Sequence, residues 1–142
     1  MGKEVSNDYK IQLENNRGEI IIADEVIAVI TGLAAMEVEG VASLAGNATR
    51  ELISKIGIKT LSKGVKVDVL EDVVTIDAAL NLKYGFNIKA VSEKVQEKVK
   101  AAVENMTGLK VADVNIRVAG IEVNAYGIKE RNLDEINGVL FL

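Results

Sequence analysis

The 142-residue sequence has no cysteine, no histidine and no tryptophan, and only two phenylalanines and three tyrosines. Without cysteine there are no disulfides, thiolate metal sites or cysteine nucleophiles. Without histidine the side chain that most often serves as a general base is missing, and zinc or di-iron sites lose a usual ligand. Neither cofactor nor metal is expected. Scarce aromatics leave few platforms on which the bases of RNA or single-stranded DNA could stack. A net charge of -4 and a pI near 5.0 argue further against general nucleic-acid affinity. No apolar run approaches the roughly 20 residues needed to span a bilayer, because Glu, Asp, Lys or Gly interrupts each candidate. Nothing reads as a secretion signal, so a cytoplasmic location is expected, with no direct membrane insertion and any membrane contact made through a partner.

What is present is a strongly patterned chain of one-domain length, able to bury about two-thirds of its unfolded surface. The most informative part runs from Tyr84 to Val123. Ile88, Val91, Val95, Val99, Ala102, Val103 and Met106 recur at steps of three and four, which places them on one stripe of a helix. Asn87 is suited to cap that helix and Gly108 to end it. From Val111 the period becomes two: Val114, Ile116 and Val118 on one face, Asp113, Asn115 and Arg117 on the other, the pattern of a strand with one wet face.

Residues 1–17 are polar, without sustained period, and read as a flexible lead-in. The domain is expected over residues 18–123. Glu19 to Ile22 reads as a short strand; Asp24 is placed to cap a helix carrying Ile27, Ile30, Leu33 and Ala34, and Gly40 ends it before an extended piece from Val41 to Leu44. Val65, Val67 and Val69, then Val74, Ile76, Ala78, Leu80, Leu82 and Tyr84, predict a hairpin turning at Glu71 and Asp72. Its polar face holds Thr75, Asp77, Asn81 and Lys83. The fold class is therefore α+β, two layers, with an antiparallel or mixed sheet and two principal helices packed on one face. Residues 124–142 form a tail, helical by the spacing of Leu133, Ile136, Val139 and Leu140.

Several pieces in this order resemble the alkaline shock protein family of mostly Gram-positive bacteria, also called the envelope stress response family. They are Gly18 to Ala23, Val38 to Val41, Lys63 to Val67, Tyr84 with Gly85, Val95 with Gln96, and Met106 to Leu109 running into Val114 to Val118. The resemblance implies a non-enzymatic cytoplasmic protein of cell-envelope homeostasis. It acts through a membrane anchor protein and self-association into a homo-oligomer, or, alternatively, as a regulatory or assembly factor for an enzyme complex such as the fatty-acid synthesis machinery. It brings no catalytic residues.

Three surfaces are candidates for interaction. Residues 50–66 carry Arg50, Lys55, Lys59, Lys63 and Lys66 against Glu51 alone. On a helix, Lys55, Lys59 and Lys63 would share a face suited to an anionic surface or acidic partner, although Leu52 in the same arc favours a solvated connection. The polar strand face, with Asp77, Asn81, Lys83, Asp113, Asn115 and Arg117, would serve recognition or simply face water. The terminal Leu140 and Phe141 are apolar where a terminus is usually polar, and they require cover from the domain itself or from a neighbour. Gly57 to Thr60 lacks the glycine and lysine spacing of a phosphate-binding loop.

Overall fold

A computed structural model describes residues 8–11, 17–45, 63–123 and 139–141. Lys55 and Lys59 lie outside the described residues, as do Leu133 and Ile136. The order of elements is β1 (Asp8–Ile11), β2 (Ile20–Ala23), α1 (Asp24–Met36), β3 (Val41–Leu44), β4 (Val65–Leu70), β5 (Val73–Lys83), α2 (Ile88–Thr107), β6 (Lys110–Glu122) and β7 (Val139–Phe141). The expected two-layer α+β arrangement is present, and the sheet is mixed.

β5 organises the main sheet. β4 pairs antiparallel with its first half, from Leu70↔Val73 to Val65↔Ala78, and β3 pairs antiparallel with its end, from Leu44↔Leu80 to Val41↔Leu82. Both lie on the same edge of β5. Where they meet, the Ala45 amide donates to the Ala79 carbonyl and the Ala79 amide donates to the Gly64 carbonyl, each at 2.9 Å. β6 runs parallel along the other edge after the crossover through α2. The hairpin turns at Glu71 and Asp72 as expected, with Glu71 at φ 60.

The side of the sheet carrying Val74, Ile76, Ala78, Leu80 and Leu82 is buried beneath the helices. α2 contributes Val91, Val95, Val99 and Val103. Burying an aliphatic side chain of this kind contributes roughly 1.5–3 kcal/mol. Asn87 accepts from the Ala90 amide at 2.8 Å, and Gly108, at φ 76, closes the helix in the left-handed region. Ile88 and Met106 are the exceptions in the expected stripe, 46% and 70% exposed at the two ends of the helix. α1 has no charged residue between Glu25 and Glu37, and most of its circumference is buried. Asp24 does not cap it: Ala23 holds the N-cap position and Asp24 is the first helical residue, where its charge still suits the helix N-terminus.

Two further departures have local causes. The lead-in contains β1, which pairs antiparallel with β2 in a separate two-stranded sheet. At the other end, Val139–Phe141 form not a helix but a strand that pairs antiparallel with Gly120–Glu122 of β6. The helical spacing of the tail's apolar residues is overridden there by an available strand edge.

Candidate interaction surface

Strand pairing places the functional candidates in rows across the face of the sheet that the helices leave open. In one row Lys66 of β4, Asp77 of β5 and Asn115 of β6 are Cα partners. The Asn115 Nδ2 donates to Asp77 Oδ1 at 2.8 Å, ordering the centre of the row. In the next row Arg117 lies opposite Ala79, whose small side chain leaves a hollow. Residues from β4, β5 and β6, with Lys63, Gly64 and Ala45 at one rim, line a depression of about 560 Å3 that reaches Arg117 at the other. Lys63, Lys66, Asp77, Asn115 and Arg117 are all exposed.

The side chains expected to act together are thus only partly brought together. Lys63, Asp77, Asn115 and Arg117 share the depression. Lys83 is exposed but lies at the end of β5, opposite Glu122 and outside the depression. Asn81 departs from the expected wet face: it is 2% exposed, and its Nδ2 donates to Ser43 Oγ at 2.9 Å. Its cross-strand partner Ser43 on β3 is 3% exposed, so at this end of the face both polar residues of the right parity are interior and bond to each other. Leu140 and Phe141 belong to β7, and their side chains lie outside the described residues. Lys66 was absent from the expected polar strand face, though its alternation with Val65 and Val67 is the signal that puts it opposite Asp77.

A second, shallower depression between α1 and α2 is lined by Glu37, Val38, Glu39, Lys94, Glu97, Lys98 and Ala101. Within it Lys98 Nζ pairs with Glu37 Oε1 at 3.5 Å, joining side chains 53% and 65% exposed, and such pairs contribute little. Among the described residues no group of three or more acidic side chains could hold a metal ion, and no helix is long and apolar enough to cross a membrane.

Residues 12–123 match the model of the alkaline shock protein 23 family, described as having cell envelope-related function. The chain belongs to this family. Its relatives include the uncharacterized protein YqhY of Bacillus subtilis, 38% identical over 122 residues that cover 86% of this chain and 90% of that one. The uncharacterized protein Spy1535 of Streptococcus pyogenes is 41% identical over 105 residues, 73% of this chain and 79% of that one. A Streptococcus pyogenes stress response regulator gls24 homolog is 29% identical over 119 residues, covering 83% and 66%. Among solved structures, a variant of the MamM CTD aligns with a TM-score of 0.43 at 15% identity, covering 67% of this chain and 92% of that one, a likeness too weak to carry an argument. Family members are thus tied by description to the cell envelope and by name to stress response.

Proposed function

We propose that this protein serves cell-envelope homeostasis by binding other proteins, itself included, and not by catalysing a reaction. The observation that carries the reading is the open sheet face. It holds an ordered Asp77–Asn115 pair and flanking charged side chains over a depression, all exposed, opposite a fully packed apolar face. Polar groups held in register by strand pairing present a fixed pattern to a partner at little ordering cost. Self-association has its own surface. Val26 and Leu33, seven residues apart on one face of α1, are 48% and 44% exposed, apolar side chains of the kind that mark interfaces.

Site-specific photocrosslinking in cells tests the reading. A crosslinker replacing Asn115 should capture a defined partner from the envelope fraction, whereas one replacing Lys100, on the exposed side of α2, should not. Equal capture from both positions, or from neither, rejects the open face as the binding surface. For self-association, replacing Val26 and Leu33 with glutamate should lower the mass measured by light scattering; an unchanged mass removes α1 from the assembly.

A further inference from the structure

From the charge and shape of the depression we infer that it takes an extended acidic peptide segment of a protein partner, with one carboxylate meeting Lys63 and Lys66 and another meeting Arg117. This rests on the open face being the binding face and specifies what it binds.

Among the described residues, three cationic side chains line the hollow against one carboxylate, Asp77, and that carboxylate already accepts a hydrogen bond from Asn115. No ion pair links Lys63, Lys66 or Arg117 to an acidic group among the described residues. The adjoining row of the same face, Asp68, Thr75 and Asp113, adds two exposed carboxylates, so the positive side chains are concentrated at the Lys63 and Arg117 end of the face. The cations are also separated. β4 and β6 flank β5 and Arg117 lies one row beyond Lys66, so the two stand about 12 Å apart. An extended chain advances about 3.3 Å per residue with alternate side chains on one face, so acidic side chains two or four residues apart reach both groups. Ala79 provides room for the residue between them.

The arrangement disfavours a compact anion. A free phosphate or a lipid phosphate concentrates its charge at one point, where it would sit over the Asp77 carboxylate. Among the described residues no helix N-terminus points into the hollow to offset that repulsion. An acidic peptide spreads its charge to the two rims and leaves Asp77 beneath its neutral backbone.

The test uses the full chain and a fluorescein-labelled peptide of alternating glycine and glutamate, followed by anisotropy at low ionic strength. Binding should weaken at least tenfold when Lys63, Lys66 and Arg117 are all replaced by glutamine. It should also weaken at least tenfold in Ala79→Leu, which fills the hollow without changing any charge. A control with Lys89, Lys94 and Lys100 of α2 replaced by glutamine removes the same charge elsewhere and should bind within twofold of the parent. Circular dichroism confirms folding of each variant. Equal loss in the control, equal binding of a peptide with glutamine in place of glutamate, or no binding by the parent overturns the inference. So does preferential binding of phosphatidylglycerol vesicles or of inorganic phosphate through the same three cations. A partner crosslinked at Asn115 with no acidic-peptide binding would reject the acidic specificity and leave the binding face standing.

Discussion

The Gln96 side chain of α2 donates through Nε2 to the backbone carbonyl of Val114 in β6, at 2.9 Å. Two turns further on, the Glu104 carboxylate accepts from the Val111 amide at 2.9 Å. β6 pairs with β5 on one side, and on the other meets β7 only at its last residues. These helix side chains therefore satisfy main-chain groups of a strand that would otherwise need water or another strand.

Removing either group should be costly in proportion to that task. Gln96→Ala is expected to destabilise by about 1 kcal/mol and Glu104→Ala by about 1–2 kcal/mol, the latter more because its acceptor is charged. The two positions lie about 12 Å apart along the helix, so the double variant should lose close to the sum. Urea unfolding at neutral pH measures all three, and a strongly non-additive double variant would show that the two bonds hold one cooperative edge.

Thr31 of α1 is fully buried, and its Oγ1 has no hydrogen-bond partner. Thr31→Val keeps the branched shape and removes the orphaned hydroxyl. Stability should rise by about 1 kcal/mol in thermal or urea unfolding. A loss of stability of similar size would mean that the hydroxyl is satisfied in solution.

Gly40 and Gly108 both sit at positive φ, 103 and 76, yet their surroundings differ. A Cβ at Gly40 would come within 2.8 Å of Val91 Cγ2 and 3.0 Å of Phe86 Cδ2, whereas one at Gly108 meets nothing within 4 Å. Gly108→Ala should therefore cost about 1 kcal/mol for backbone conformation alone. Gly40→Ala should cost about 2–4 kcal/mol, because stiff Val91 and the ring of Phe86 must shift as well. Similar unfolding midpoints for the two variants would show that the core at Gly40 yields easily.

Asn81→Asp places an ionisable carboxyl at a site that is 2% exposed. Burial raises the folded-state pKa above the unfolded value of about 3.9. The sign follows directly: the variant is least penalised below pH 4 and loses stability as pH rises through the raised folded-state pKa. Relative to the parent, urea midpoints at pH 4 and pH 8 should differ, with the deficit larger at pH 8. An equal deficit at both values would show that the carboxyl remains solvated.

Much of this fold is written in periodicity. The α2 stripe of Val91, Val95, Val99 and Val103, its Asn87 and Gly108 ends, and the hairpin around Glu71 all follow from local chemistry and spacing. Long-range pairing is different. β6 has thirteen residues against eleven in β5, and the two extra ones, Ala112 and Ala119, are bulges that reset which side chains face the core. Nothing in an alternating pattern announces them. Burial of Asn81 depends on where β3 lies, and the β7 pairing depends on a free edge, both properties of the assembled sheet. The candidate surface was legible in the same degree: alternation puts Lys66, Asp77, Asn115 and Arg117 on polar strand faces, but only the register sets Lys66 opposite Asp77 and Lys83 apart.

The meeting of β3 and β4 on Ala79 carries a consequence for how this chain can diverge. Ala45 and Gly64 bracket residues 46–63 and are both hydrogen-bonded to that one residue. Both bonds use the main chain of Ala79, so any residue other than proline at that position can supply them. The side chain at position 79 can therefore change while β3 and β4 keep their register, and the hollow above it can be reshaped without renegotiating the fold.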